Sequence, residues 1–385
     1  MNGIYIHFPF CEKRCTYCAF SSFCNLQEKA RYIDKLLEEI DEFDTKNLKI
    51  NENLPIFHKN NDNFDKNNIL KVDSVYIGGG TPSLLEIKDL EKIFASLNKK
   101  FKVARDSEIT IECNPNSLTE EKLACYKKLG INRLSLGVQS VDDEKLKFLG
   151  RLHSSSQALE AIRLAKKYFD NISVDMLIGI KGQEEQAFID ELDSLIEEGV
   201  NHISTYMLQV EEGTELARQY QKNPFLLPDE DETVKIYEKT RNFLTNRGFI
   251  QYEISNFAQK NKESRHNIKY WTGENYVGFG LSAHSYIYGF RSANANNFSD
   301  YYSGKKVLYE KLDKGQLIEE AVMLGLRCYC GVDITYLRKL GYDIENNENF
   351  SYFCDKNIIK KENNRVFLNP KYYGISNYII VKLLG

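Results

Sequence analysis

The sequence predicts an α/β protein: a partial (β/α)6, TIM-like barrel followed by a smaller C-terminal α+β domain of winged-helix type. From residue 3 to about residue 210, short β-branched or aromatic runs alternate with longer amphipathic runs, as in repeated βα units around a parallel sheet. Polar residues follow the ends of several of these runs, where a (β/α) barrel gathers its ligands. Beyond about residue 216 the alternation stops, and 385 residues exceed the usual size of one domain.

Six short strands rich in Val, Ile, Leu or Tyr are predicted in the barrel, at residues 4–8, 74–77, 108–112, 133–138, 173–178 and 203–208. A helix is expected after each of the first five strands. The helix after the third strand carries the clearest signals, because Ser117 and Glu120 are spaced as a capping box and Gly130 is placed to end it.

Three regions are expected along the chain. Residues 1–215 form the barrel, and within it the Asn-, Lys- and Asp-rich tract 44–71 is predicted to be a surface insertion. Residues 216–304 form a connecting segment. Residues 305–385 form the C-terminal domain, in which helices and a hairpin are predicted from the amphipathic pattern.

Composition excludes several classes of function. A net charge of −4 and a pI near 6.0 argue against nucleic acid as the main partner. No apolar run approaches the roughly 18–20 residues that span a bilayer, and the N-terminus lacks the pattern of a secretion signal. We therefore expect a cytoplasmic protein that is not an integral membrane protein, and in that compartment clustered cysteines indicate metal ligands rather than disulfides.

One cysteine cluster has the spacing of a metal site. The run CEKRCTYC places Cys11, Cys15 and Cys18 in one tight loop after the first strand. Three thiolates can bind three irons of a [4Fe-4S] cubane and leave the fourth iron open to a small molecule. The alternative is a zinc loop, although structural zinc sites normally use four ligands.

The C-x3-C-x2-C spacing resembles the signature of the radical S-adenosylmethionine (SAM) superfamily, and the resemblance covers about the first 210 residues. It implies that SAM chelates the open iron and that electron transfer from the cluster generates a 5′-deoxyadenosyl radical. The cofactors supply this chemistry, and the protein orients and shields them.

The resemblance also implies a SAM site at the strand ends. The turn Gly79, Gly80, Thr81 would meet the methionyl ammonium, Glu112 the methionyl moiety and Arg151 its carboxylate. Gln139 and Asp175 would meet the ribose, Tyr5 and Tyr17 would flank the cofactor, and Gln209 would border the adenine. Taken singly, Asp175 could instead cap a helix, and Arg151 could be a surface cation.

Within the superfamily, GIYIHFPFCEKRCTYCAF, GGGTPS and LSLGVQS resemble the group of oxygen-independent coproporphyrinogen III dehydrogenases. The dehydrogenase branch has a fourth cysteine where this chain has Phe20, and it has a longer N-terminal segment. The runs RHNIKYW, GFGLSAHSY and MLGLRCYCGVD resemble the heme chaperone branch, HemW.

The RHNIKYW run supplies the leading heme candidates. His266 and Tyr270, four residues apart, would share a helix face and offer a nitrogen ligand beside an aromatic surface. Trp271 is adjacent, and His284 is a second possible ligand. The alternative for His266 is a histidine that is only hydrogen-bonded within the protein. Cys328 and Cys330 form a C-x-C pair for which core or chance usage is the simpler interpretation.

Three functions are consistent with the sequence. The first is a heme chaperone that delivers heme to a membrane partner, such as a respiratory enzyme, with the cluster and SAM assisting transfer. The second is a coproporphyrinogen III dehydrogenase acting through the deoxyadenosyl radical. The third is a radical SAM enzyme with another substrate. Residues that bind SAM are needed for binding and cleavage alike, so enzyme status stays open.

Overall fold

Six parallel strands form the centre of a large sheet in the computed structural model of the chain, which describes residues 2–55, 63–65 and 67–385. They are β1 (Asn2–Phe8), β2 (Lys71–Gly79), β3 (Lys102–Cys113), β4 (Arg133–Gln139), β5 (Ile172–Ile178) and β6 (His202–Met207). In β1, Ile4, Ile6 and Phe8 are fully buried, while Tyr5 points to the opposite face. The predicted α/β class is confirmed.

Helices connect these strands and cover one face of the sheet. They are α1 (Lys29–Glu42), α2 (Ile87–Lys100), α3 (Glu120–Lys128), α4 (Asp143–Phe148), α5 (Ser155–Lys166) and α6 (Glu185–Glu197), followed after β6 by α7 (Glu215–Lys222) and α8 (Glu230–Asn246). Their apolar residues and the outward side chains of the strands form one large core. Among the described residues, no helix combines the length and apolar character needed to cross a bilayer.

The sheet extends beyond the six predicted strands at both edges. The added elements are β7 (Ile250–Gln251), β8 (Asn256–Ala258), α9 (Arg265–Thr272), β9 (Tyr276–Phe279), β10 (His284–Ile287), β11 (Phe290–Asn294), α10 (Phe298–Tyr302) and β12 (Lys306–Lys311). The strand order in the described chain is β12-β11-β10-β9-β1-β2-β3-β4-β5-β6-β8-β7. Strand β9 is parallel to β1, whereas β10, β11 and β12 continue as an antiparallel ribbon.

A second hydrophobic core lies in the C-terminal part of the chain. Its elements are α11 (Lys314–Gly325), β13 (Val332–Asp333), α12 (Ile334–Leu340), α13 (Phe350–Asp355), β14 (Ile359–Glu362), β15 (Arg365–Leu368) and α14 (Ser376–Leu384). The three strands pair in the order β13-β15-β14, which gives the α+β, winged-helix-like arrangement that was predicted.

The domain limits remain a prediction, but two of the segments can be located. Residues 306–311, assigned from the sequence to the C-terminal domain, form β12 at the edge of the large sheet. Part of the predicted insertion, residues 56–62 and 66, lies outside the described residues. In the described part, Asn51 is buried and donates hydrogen bonds to the carbonyls of Gly289 (3.1 Å) and Leu312 (2.7 Å), so this segment is attached to the ribbon.

Candidate functional site

The cysteine loop follows β1 and is anchored on the far side of the barrel. Its three cysteines, Cys11, Cys15 and Cys18, are free and half-buried. Between them, the backbone N–H of Thr16 donates to the Leu149 carbonyl (3.0 Å), and its hydroxyl donates to the Phe148 carbonyl (3.1 Å). The loop therefore rests on the end of α4 and is held across the open end of the strands.

Among the described residues, Thr81 and Arg151 donate side-chain hydrogen bonds to sulfurs of the cysteine loop. The Thr81 hydroxyl lies 3.4 Å from Cys11 Sγ, and Arg151 Nη1 lies 3.4 Å from Cys15 Sγ. Burial raises the pKa of the Cys11 and Cys18 thiols, so a bound metal would have to displace their protons. In the described chain no three His, Cys, Asp or Glu side chains converge on one metal ion, but a cubane gives each thiolate its own iron. The three donors and their two hydrogen-bond donors fit such a cluster.

The glycine-rich turn after β2 packs directly against the start of this loop. A Cβ atom on Gly80 would lie 2.6 Å from the Phe10 carbonyl oxygen, so only glycine fits there. Gly79 has φ +118°, and a Cβ atom there would lie 2.8 Å from the His7 ring. The Thr81 N–H donates to the Phe10 carbonyl (2.8 Å). The turn thus positions the Thr81 hydroxyl at Cys11.

Glu112 lies next to the glycine turn at the end of β3. Its carboxylate accepts hydrogen bonds from the Tyr76 hydroxyl (2.9 Å) and the Gly79 N–H (3.0 Å). Burial, and then the nearby charge of Asp175, raise the pKa of Glu112 to about 7. This carboxyl therefore changes charge near neutrality, and its ionised form is suited to a cationic amine.

Arg151 connects the cysteine loop to two strand ends. Its Nη2 donates to the Asn114 side-chain oxygen and to the Gly137 carbonyl, and its Nη1 donates to Cys15. Its Nε is buried and has no hydrogen-bond partner among the residues that the structure describes. Arg151 is therefore a fixed cation at the barrel end rather than a mobile surface residue, and one of its donors is available to a ligand.

The remaining predicted SAM residues lie around the same end of the barrel, with one outlier. Gln139 ends β4 with φ 72°. Asp175 lies within β5 opposite Gly137, and burial raises its pKa, so it does not cap a helix. Tyr17 is half-buried beside the cysteines, and the Tyr5 hydroxyl is hydrogen-bonded to His7 Nδ1 (2.9 Å). Gln209 is exposed two residues beyond β6.

His266 is fully buried inside the barrel. Its Nδ1 is hydrogen-bonded to the Ser74 hydroxyl (3.0 Å), its Nε2 to the Tyr270 hydroxyl (2.9 Å), and its backbone N–H donates to Glu108 (2.9 Å). Burial, and then the charges of Lys269 and Arg133, lower the pKa of His266 to about 3, so the ring is neutral. Both ring nitrogens are hydrogen-bonded to protein side chains. This arrangement matches the alternative given above, a histidine that is only hydrogen-bonded within the protein.

A cavity of about 440 Å³, here called the ribbon cavity, lies beside β1 where β9, β10 and β11 extend the sheet. Its walls include the aromatic side chains Tyr5, Phe20, Tyr270 and Tyr276, and the exposed His284. Burial, and then Arg291, lower the pKa of His284, which keeps the imidazole neutral at physiological pH. The cavity therefore combines aromatic and polar side chains, and among the described residues the His284 ring has no hydrogen-bond partner.

The four heme candidates are divided between three places. Tyr270 and His284 share the ribbon cavity, and His266 lies behind Tyr270. Trp271 lines a different cavity, the junction cavity, of about 490 Å³, which lies between the end of α9 and the C-terminal domain that begins with α11. One macrocycle in the ribbon cavity would therefore contact only the first two.

Sequence reasoning missed several residues that complete the site. Asn114 and Tyr76 hold Arg151 and Glu112. Arg133 is 1% exposed, and in the described part of the chain its Nε and Nη1 have no hydrogen-bond partner. The alternation of RLSLGVQ, which places every second residue of β4 on one face, was a signal that Arg133 points into the barrel.

Comparisons with known proteins give the family and the fold of the chain. The model of the Radical SAM superfamily matches residues 61–195. The heme chaperone HemW of Bacillus subtilis (strain 168) is 32% identical over 100% of both chains, and that of Lactococcus lactis is 29% identical over 100% of this chain and 97% of its own. The structure of coproporphyrinogen III oxidase (HemN) from Escherichia coli, a radical SAM enzyme, gives a TM-score of 0.80 at 20% identity, covering 99% of this chain and 89% of that one.

Fold and sequence together define a radical SAM protein, a class whose cofactors are a [4Fe-4S] cluster and SAM. The likeness to HemN is one of fold. The full-length match at 32% identity goes further: the chain belongs to the HemW family.

Proposed function

We propose that this protein is a heme chaperone that binds heme in the ribbon cavity and transfers it to a heme-requiring acceptor, a respiratory membrane protein in our hypothesis. The observation that carries the proposal is the exposed, neutral His284 on an aromatic-walled cavity. A volume of about 440 Å³ lies within the range of about 300–1,000 Å³ for small-molecule sites. Neutral imidazole is a common iron ligand in heme proteins.

His266 takes a different role in this proposal. Its Nε2 fixes the Tyr270 hydroxyl, and Tyr270 forms part of the cavity wall. We infer that His266 positions Tyr270 rather than binding iron. Since Trp271 lines the junction cavity, its contribution to heme binding would be indirect.

The barrel end is proposed to hold the two remaining cofactors. Cys11, Cys15 and Cys18 would bind the [4Fe-4S] cluster, with Thr81 and Arg151 donating to two of their sulfurs. Ionised Glu112 would bind the SAM ammonium, and the unpartnered Nε of Arg151 is available to its carboxylate. Bound SAM supplies radical chemistry when it receives an electron from the cluster. Tyr5, which would flank SAM, also lines the ribbon cavity, so the two proposed sites would adjoin.

Titration with hemin tests the heme proposal. The absorption band of hemin should shift on adding one equivalent of cluster-loaded protein, and His284→Ala should weaken binding because it removes the iron ligand. Asn296→Ala is the matched control, since it alters the same cavity without removing an imidazole. Equal affinities for His284→Ala and the parent protein would contradict the proposed ligand, and an unshifted hemin band would contradict the proposed function.

The dehydrogenase alternative is favoured only by the shared fold with HemN. Phe20, which stands where the dehydrogenase branch has a cysteine, is 71% exposed and lines the ribbon cavity. An anaerobic assay of reduced protein with SAM and coproporphyrinogen III separates the two functions, because sustained formation of protoporphyrinogen would replace the chaperone proposal.

A further inference from the structure

The C-x-C pair lies in the turn between α11 and β13 of the C-terminal domain, where this domain contacts the barrel. This turn leaves α11 at Gly325, whose carbonyl accepts the Cys328 N–H (3.3 Å), and it closes where the Gly331 N–H donates to the Cys328 carbonyl (3.0 Å). On the barrel side, Cys328 pairs with Glu253 in an antiparallel bridge. The two cysteines therefore occupy a segment fixed to both parts of the molecule.

The two thiols are in direct contact. Both are free, the Cys330 N–H donates to Cys328 Sγ (3.4 Å), and the side chains are hydrogen-bonded to each other. Cys328 is buried, whereas Cys330 is half-buried. Cys330 is therefore the thiol that a reagent from solution can reach, and Cys328 is the buried thiol in contact with it.

The surroundings of the pair distinguish the two thiols chemically. The hydrogen bond with Cys328, and then the charge of Arg365, hold the pKa of Cys330 below its usual value, although burial opposes them. The same hydrogen bond and burial raise the pKa of Cys328. The Arg365 guanidinium is held close because it donates to the carbonyls of Cys330 (2.7 Å) and Gly331 (3.1 Å). An accessible thiol of lowered pKa in contact with a buried thiol of raised pKa is the arrangement of thiol–disulfide exchange.

We propose that Cys328 and Cys330 are a redox-active dithiol that exchanges with small-molecule disulfides at the domain junction. The Cys330 thiolate attacks one sulfur of a disulfide RSSR, which forms a mixed disulfide and releases RS⁻. The Cys328 thiol gives its proton to this thiolate, and its sulfur then attacks Cys330 Sγ and expels the second RS⁻, which takes a proton from water. Two cysteine thiols are oxidised to one internal disulfide, and RSSR is reduced to two RSH.

The turn is connected to the heme-candidate helix by a short series of contacts. The Tyr329 N–H donates to the Tyr252 carbonyl (2.8 Å), and the Tyr252 hydroxyl accepts from the N–H of Ser264 (3.4 Å), the N-cap of α9. Trp271 near the end of α9 lines the junction cavity together with Gly331. Closing the disulfide should therefore change the fluorescence of Trp271, the only tryptophan of the chain.

Mass spectrometry tests the proposal directly, because Arg327 and Arg338 bracket both cysteines in one tryptic peptide, residues 328–338. Cluster-loaded protein would be held anaerobically in mixtures of reduced and oxidised glutathione, quenched with acid and alkylated. The expected result is a peptide that loses two hydrogens and resists alkylation as oxidised glutathione increases, while the peptide containing Cys354 stays alkylated. The cluster absorption, followed in parallel, should stay constant.

Single substitutions assign the roles of the two thiols. In Cys328→Ser, the mixed disulfide of Cys330 with glutathione should accumulate, because no neighbouring thiol resolves it. In Cys330→Ser, Cys328 should remain unmodified, because it is buried. Arg365→Gln should slow the first step at neutral pH. A 328–338 peptide that stays fully reduced in oxidised glutathione, or that pairs with another cysteine, would overturn the proposal.

Discussion

Replacing His266 with Phe tests whether this residue is structural or binds heme iron. The substitution keeps a planar ring but removes both nitrogens, which are hydrogen-bonded to the Ser74 and Tyr270 hydroxyls. Ser74 is fully buried, so its unpaired hydroxyl costs about 1–3 kcal/mol. Tyr270 lines the ribbon cavity, where water can replace the lost hydrogen-bond partner. The loss at Tyr270 should therefore add at most about 1 kcal/mol to the destabilisation. We expect His266→Phe to lower the free energy of unfolding by about 1–4 kcal/mol.

Urea unfolding followed by Trp271 fluorescence measures this change on the same helix. The double variant His266→Phe, Ser74→Ala has no orphaned hydroxyl at position 74, so it should recover about 1–3 kcal/mol relative to His266→Phe alone. Hemin binding should persist in His266→Phe at temperatures where it is folded. Unchanged stability in the single variant, or loss of the shifted hemin band from a folded protein, would refute the structural role.

Three further predictions concern charge and the cluster. Burial lowers the pKa of His266 to about 3, so between pH 3 and pH 6.5 the unfolded chain binds a proton that the folded chain does not. The free energy of unfolding should therefore fall from about pH 6.5 towards pH 3, by up to about 1.4 kcal/mol per pH unit. The urea midpoint should change less with pH in His266→Phe than in the parent protein, and an equal change would contradict this prediction. Since the pKa of Glu112 is about 7, SAM affinity measured by equilibrium dialysis should rise about tenfold from pH 6 to pH 8, and Glu112→Gln should abolish that rise. Thr81→Val removes the hydrogen bond to Cys11 and should make the cluster potential more negative in redox titrations, whereas Thr110→Val, with no such bond, should not.

The central strands were predictable because their burial on both sides produces a strong local signal. The fourth strand, predicted at residues 133–138, is found at Arg133–Gln139. The edge strands were missed because β7, β8 and β9 contain only two to four residues each, too few to show a period. Their pairing is set by long-range contacts that the local sequence does not encode.

The capping prediction for α3 was wrong by two residues. Ser117 ends a short 3-10 turn, and its hydroxyl is shared with Ser83 and the Asn114 carbonyl. Thr119 is the N-cap instead, and its side chain accepts from the Lys122 N–H. Both Ser117 and Thr119 are good N-cap types, so only the tertiary partner of Ser117 decides between them.

The RHNIKYW run shows what periodicity can and cannot predict. It correctly places His266 and Tyr270 in contact on one helix face. It does not reveal that this face points into the barrel, because burial depends on where α9 packs. The next residue, Trp271, turns towards the junction cavity for the same geometric reason.

The pairing of β1 with both β2 and β9 has a consequence for synthesis of the chain. Gly3 of β1 pairs with Ser74 of β2 on one side and with Tyr276 of β9 on the other. When a nascent chain has emerged only to residue 260, β9 is absent and the edge of β1 that pairs with it is open. The cysteine loop, which follows β1, has emerged by then. The residues of the proposed cluster and SAM sites therefore emerge before Tyr276 and His284, so under the proposed function the cluster would be able to enter before the heme site is formed.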